Sequence, residues 1–179
     1  MEGVQKKYIA LLGGSFDPAH KGHLGISKIA IKKLKLKKIY WVIAKKNPFK
    51  NKTFYSLDER IKHAERISRY QKKIQVLHLD DILKSSRSID MINYFIKKKN
   101  VKNIYFMIGS DNLIKFHKWK SWEKIVKLVK LVVFSRRGYD KKGMKSTVVK
   151  NFKNKIIFIK NETIAISSTQ LRSQTRLSR

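Results

Sequence analysis

Two stretches near opposite ends of the sequence hold residues whose types and spacing suit phosphate chemistry. The first is Gly13-Gly14-Ser15-Phe16-Asp17-Pro18-Ala19-His20-Lys21-Gly22-His23. His20 and His23 stand three apart, which puts them on one side of a helix's first turn. Gly22 keeps the space between them open, and Gly13 and Gly14 let backbone amides approach a ligand closely. A helix start offers free amides and a partial positive charge to an anion. Two imidazoles placed there can donate to phosphate oxygens as charge moves onto a leaving group. The second stretch is Ile166-Ser167-Ser168-Thr169-Gln170-Leu171-Arg172. Ser168 suits a helix N-cap, and Ser168 and Thr169 bring hydroxyl donors to the same place. Arg172, four residues on, projects from the same face and can grip two phosphate oxygens at once. A cap or a histidine pair alone is a common structural feature. Both in one small chain point to a phosphate-bearing ligand.

Composition narrows the classes. The 179 residues suit one domain, 1–179, with a real core. There is no cysteine, which excludes a disulfide framework, a thiolate zinc site and a cysteine nucleophile. A zinc site on His20 and His23 lacks a third ligand at a suggestive spacing. Apolar stretches such as Ile39 to Ala44 are strand-length and far below a membrane span, and Met1 to Lys7 is polar. The expectation is a soluble, cytoplasmic protein. Forty-three Lys and Arg against 12 Asp and Glu give a net charge of +31. Such a field draws in phosphorylated ligands and polyanions alike. The lysine runs lack the interleaved aromatics of a base-stacking surface, and no specific nucleic-acid partner is expected.

The elements that must position these residues alternate. Tyr8 to Leu12 reads as a buried strand feeding the glycine pair, and Gly22 to Leu34 as a helix. Ile39 to Ala44 is a strand whose near-continuous apolarity suits a parallel sheet covered on both faces. Ser56 and Glu59 form the pattern of a capping box opening a helix to about Tyr70. Ile74 to Leu79, Asn103 to Ile108, Lys130 to Phe134 and Ile156 to Ile159 read as strands. Helical pieces are expected over Ser88 to Lys98, Asn112 to Phe116 and Ser121 to Lys127. Tyr139 to Lys155, basic and without clear period, reads as a loop or lid. The alternation predicts an α/β, Rossmann-like fold, an open, mostly parallel sheet with helices on both faces. Its ligands should lie beyond the carboxyl ends of the strands, where the strand order reverses.

With these residues in view, the chain resembles the nucleotidylyltransferase superfamily. The superfamily's histidine-x-glycine-histidine turn and serine-threonine-x-x-arginine helix start match His20 to His23 and Ser168 to Arg172. Within it, the chain is most similar to the bacterial nicotinate-nucleotide adenylyltransferases. Asn47-Pro48-Phe49-Lys50 lies where that family places a basic residue facing substrate phosphate. Ser88-Ile89-Asp90 lies where it offers amides to the nicotinate carboxylate. Gly109 and Asp111 sit in a segment like its ATP-ribose loop. Trp119 stands where an aromatic stacks on the pyridine ring. Phe49 replaces a frequent histidine, and Ser88 and Met91 replace the usual threonines.

The resemblance implies adenylyl transfer from ATP to nicotinate mononucleotide, giving nicotinate adenine dinucleotide and pyrophosphate. It implies that His20, His23, Lys50 and Arg172 act in catalysis. Gly14, Ser15, Phe16, Gly22, Gly109, Asp111, Arg136, Ser168 and Thr169 would complete the ATP site with His20, His23 and Arg172. Asn47, Lys50, Ser88, Ile89 and Trp119 would hold the acceptor. Mg2+ would arrive with ATP, since no carboxylate cluster is set to bind it alone. Phosphopantetheine adenylyltransferase shares both phosphate motifs and is the nearest rival; a basic, non-enzymatic nucleic-acid-binding protein is the rival from another class. Trp122 reads as a core residue, Arg137 as solvated. His63, His78 and His117 read as surface or packing residues, and Asp80 and Asp81 as strand-closing residues without a role. His23→Ala should lower turnover by roughly 10²-fold or more, as loss of a transition-state donor does; near-normal steady-state turnover would remove His23 from this role.

Overall fold

Strands that are apolar along their whole length need cover on both faces. That is how they lie in a computed structural model, which describes residues 8–45 and 52–161. Six strands, β1 (Ile9–Gly14), β2 (Lys38–Ile43), β3 (Ile74–Leu77), β4 (Ile104–Gly109), β5 (Lys130–Phe134) and β6 (Ile156–Ile159), form one sheet in the order β3-β2-β1-β4-β5-β6. Every pairing is parallel. Because strand side chains alternate between faces, β1 sends Ile9 and Leu11 into one core and Ala10 and Leu12 into the other.

Helices α1 (Lys21–Lys33) and α2 (Leu57–Ser68) cover the second of these faces, with Ala30 and Ala64 fully buried there. The capping box at the start of α2 forms as the sequence predicts. Ser56 Oγ accepts from the Glu59 amide at 3.3 Å, and Glu59 Oε2 accepts from the Ser56 amide at 2.8 Å. The opposite face is covered by α4 (Ser88–Lys97), α5 (Ser110–Lys115), α6 (Trp122–Leu128) and α8 (Thr147–Phe152). Ile89, Ile92 and Phe95 at threefold spacing turn α4 toward the sheet.

The expected loop over Tyr139 to Lys155 is instead two short helices, α7 (Asp140–Met144) and α8, followed by a 3-10 turn at Lys153–Lys155. Its period was hidden because the buried positions are so few: Gly143, Ser146, Val148 and Val149. Gly143, a loop signal in sequence, is a packing contact here. A Cβ at that position would lie 3.2 Å from the Ser110 carbonyl oxygen, closer than a side chain comfortably sits. One further turn of helix, α3 (Asp80–Leu83), follows β3 where a strand end was expected.

Strand order reverses between β1 and β4, so the chain leaves these neighbours in opposite directions and opens a crevice beyond Gly14 and Gly109. If α8 belongs to the core, Val148→Ala should cost about 2 kcal/mol. That lowers the melting temperature by roughly 4–8 °C for a chain of this size, whereas exposed Lys150→Ala should leave it nearly unchanged. Equal, small shifts in a thermal melt would return this segment to a surface loop.

Candidate active site

The glycine pair ends β1 and the chain then runs through Ser15, Phe16 and Asp17 to His20, all 7% exposed or less. Neither Gly13 nor Gly14 is required by packing, since an added Cβ would meet protein atoms no nearer than 3.6 Å. What the missing side chains leave is room on the crevice side. Asp17 fastens the loop from behind by accepting from the Phe54 and Tyr55 amides at 2.8 and 2.9 Å.

His20 is the N-cap of α1, and the two histidines form a capping box of their own. His20 Nδ1 accepts from the Gly22 amide at 3.1 Å, while His23 Nδ1 accepts from the His20 amide at 3.2 Å. The rings lie 3.9 Å apart, centroid to centroid. An Nδ1 that accepts carries no proton, so each neutral ring keeps its proton on Nε2 and has that one donor to give. Burial, assisted by the Arg136 guanidinium, lowers the His20 pKa to about 4. Burial first, then His20 and Arg136, pushes His23 well below its ordinary value. Phe16 supports the pair: its buried ring lies 4.7 Å from His23 and 5.3 Å from Trp41. It adopts a left-handed φ of 45° to do so, which leaves its backbone alone to meet a ligand. Ser27 completes the support, donating to the His23 carbonyl at 2.8 Å and accepting from Trp41 Nε1 at 2.9 Å.

Across the crevice, Arg136 follows β5. Its amide donates to Ser110 Oγ and Asp140 Oδ1 at 3.0 and 2.9 Å, and its Nη1 donates to Asp111 Oδ2 at 2.5 Å. Asp111 Oδ1 is buried without a partner among the described residues. A Cβ at Gly109 would overlap that same oxygen, so a side chain there would push the Asp111 carboxylate aside.

Against the loop that leads to the histidines opens a cavity of about 380 Å3. Gly13, Gly14 and Ser15 form one wall, the start of α4 with Ser88 another, and Trp119 with Lys118 and Lys120 a third. Its floor is apolar, with Val42, Leu79, Met91 and Ile125. Trp119 is braced by Phe116, stacked at 4.9 Å, and by Phe106, edge-on at 6.1 Å. No side chain caps α4, and while the Asp90 amide donates to the Arg87 carbonyl at 3.1 Å, the Ser88 and Ile89 amides remain as donors at the helix start. Ile89 contributes backbone only, its side chain being 7% exposed in the core.

The structure thus gathers His20, Gly22, His23 and Arg136 at one point, Gly109 and Asp111 beside it, and Ser88 and Trp119 around the cavity. Gly14 and Ser15, expected with ATP, line the same cavity as Trp119. Asn47, Lys50, Ser168, Thr169 and Arg172 lie outside the described residues. Trp122 packs edge-on to Phe152 at 5.7 Å, as expected of a core residue.

Sequence reasoning missed Asp80, whose Oδ2 accepts from the Lys45 amide at 2.7 Å and from Ser86 Oγ. It also missed Asp81, whose carboxyl is held below its usual range by His78 and Lys45. It missed Arg60 too, although Arg60 shares a stripe with Leu57, Ala64 and Ser68 at helical spacing. That stripe was the available signal.

The cytidylyltransferase-like family matches residues 11–174. A protein of Pelagibacter ubique (strain HTCC1062), named "Probable nicotinate-nucleotide adenylyltransferase", is 48% identical over 94% of this chain and 93% of its own. The chain belongs to the cytidylyltransferase-like family, in its nicotinate-nucleotide adenylyltransferase branch. A second adenylyltransferase of the same name, from Endomicrobium trichonymphae, is 35% identical over 92% of this chain and 83% of its own. The fold is shared with the nicotinic acid mononucleotide adenylyltransferase of Plasmodium falciparum, solved with NaAD. That likeness has a TM-score of 0.72 at 20% identity, and covers 93% of this chain and 83% of that one. The same adenylyltransferase complexed with APC gives a TM-score of 0.70.

The depressed histidine pKa values carry a sign. His20 titrates near 4 when folded and near 6.5 when unfolded. As pH falls through this window the unfolded chain takes up the proton first, so stability is full above 6.5 and lost toward 4. Urea unfolding at pH 7.5 and at pH 5 should show this loss, and His20→Gln should flatten it. An equally steep loss in His20→Gln would assign it to other groups.

Proposed function

We propose that this site joins the adenylyl group of ATP to the phosphate of nicotinate mononucleotide, giving nicotinate adenine dinucleotide and pyrophosphate. The observation that carries the reading is the junction of the two halves. An indole-walled cavity with an uncapped helix start shares its Gly13–Ser15 wall with the loop that leads to two neutral histidine donors. The cavity suits a flat ring bearing a carboxylate: Trp119 offers a face to stack on, and the first amides of α4 offer donors to the anion.

An ionised acceptor phosphate is already a nucleophile, so the reaction needs neither a general base nor a covalent intermediate. Its oxygen attacks the α-phosphorus in line, the bond to the bridging oxygen breaks, and pyrophosphate leaves with the electron pair. Catalysis is then alignment and charge stabilisation. His20 and His23 donate from Nε2 to the α- and β-phosphates. As neutral donors they stand 3.9 Å apart without mutual repulsion. Arg136 adds fixed positive charge beside them, and the open Asp111 Oδ1 suits a ribose hydroxyl. Lys50, with Asn47, faces the acceptor phosphate, and Ser168, Thr169 and Arg172 hold the triphosphate tail. Magnesium enters with ATP, coordinated largely by phosphate and water. Among the described residues no three His, Asp or Glu side chains converge to hold a metal.

Among the described residues no helix is long and apolar enough to cross a membrane, and the proposed compartment is the cytoplasm, where ATP is made and used. The deciding measurement is pyrophosphate release from MgATP with nicotinate mononucleotide, nicotinamide mononucleotide and phosphopantetheine. Nicotinate mononucleotide should be preferred by at least tenfold in kcat/KM. Preference for phosphopantetheine would keep the phosphate chemistry and overturn the acceptor, and no release with any of the three would overturn the reaction.

A further inference from the structure

Arg60 belongs to no motif and lies on α2, a helix whose buried face otherwise covers the sheet. Yet it is 1% exposed, and its guanidinium reaches past the helix to the crevice. Nη1 donates to the carbonyls of Ser15 and Ala44, both at 2.7 Å, and Nη2 donates to the carbonyl of Lys45 at 3.2 Å. Ser15 opens the loop that leads to His20. Ala44 and Lys45 leave the end of β2. Ser15 and Ala44 also form part of the cavity wall.

The position of these carbonyls explains why a charge is buried there. The β1–β2 ladder ends at Gly14 opposite Ile43, followed by one more bond from the Ala44 amide to the Gly14 carbonyl at 2.9 Å. Beyond that point no further hydrogen bond joins the two strands among the described residues. Asp80 takes the Lys45 amide from the far side, and Arg60 holds the carbonyls from behind. Burying a guanidinium costs more than burying an aliphatic side chain of similar size, so packing α2 does not call for one. A planar fork of fixed donors can lock carbonyls from two segments into one geometry, which an ammonium cannot do.

We propose that Arg60 is a positioning residue that sets the distance between the phosphate loop and the acceptor wall. It touches neither substrate. Its effect falls on alignment of the attacking oxygen with the α-phosphorus, where a displacement of about 1 Å costs on the order of 10²-fold in rate.

The test compares Arg60→Lys with Ala64→Gly, a control on the same helix that loosens α2 without removing a hydrogen bond to either loop. In hydrogen exchange, peptides covering 14–20 and 43–45 should both exchange roughly tenfold faster in Arg60→Lys than in Ala64→Gly. In steady-state kinetics kcat should fall by roughly 30- to 100-fold, with KM for ATP within about threefold of its starting value. Ala64→Gly should lower the melting temperature with kcat preserved. If Arg60→Lys does not fold, Arg60→Gln removes the buried charge and serves in its place. Unchanged exchange, faster exchange in one segment alone, or a kcat matching the control would each overturn the proposal. Only the kinetic arm rests on adenylyl transfer. An inactive starting protein would therefore count against the reaction, while the exchange arm still decides the role of Arg60.

Discussion

The first helix begins on two imidazoles that have each given their Nδ1 lone pair to the backbone. This one constraint determines what the pair can offer a ligand: two Nε2–H donors, uncharged and in fixed orientation. Much of the surrounding architecture serves it. Phe16 takes a left-handed backbone so that its ring can lie against His23. Ser27 couples the carbonyl of His23 to the indole of Trp41 on the neighbouring strand. Asp17, 3% exposed, ties the intervening loop to the chain entering α2. A capping box usually only starts a helix; here it also selects a tautomer.

Around this pair the labour divides. Residues that would meet substrate sit at strand ends, as the reversal of strand order requires. Other residues hold those strand ends in place, among them Arg60, which comes from behind on α2. Arg60 takes the carbonyls of Ala44 and Lys45, and Asp80 takes the Lys45 amide from the other side. The Arg136–Asp111 pair and the Gly143 contact with Ser110 do comparable work on the other flank. The protein's +31 charge does not build this site. It supplies a background field that favours the arrival of anions.

The sheet was legible because its strands are apolar along their length, and the bounds of β5 and β6 were read as observed. The histidine turn was legible because its chemistry is compressed into four adjacent residues. Arg60 was not, because its one local signal, a place on the buried stripe of α2, says nothing of what its guanidinium meets. Its meaning depends on carbonyls 15 to 45 residues away in sequence. Asp80 was passed over for the same reason: its partners, Lys45 and Ser86, meet only after β2 and β3 have paired. The segment 139–155 misled because it holds six lysines and a glycine, while the few buried side chains that make it helical are spread across two separate turns.

The placement of the three tryptophans has an optical consequence. Trp41 is fully buried, its ring centroid 6.1 Å from that of His23. Trp119 lines the cavity, and Trp122 lies one turn beyond it against Phe152. The phosphate half and the acceptor half of the crevice therefore each carry their own indole chromophore, one in a dry aromatic stack and the other at a partly open wall. With Trp122 replaced by phenylalanine, the emission would separate into a blue component reporting on the histidines and a redder one reporting on the ring pocket. Occupancy of the two halves could then be followed in real time without attaching a dye.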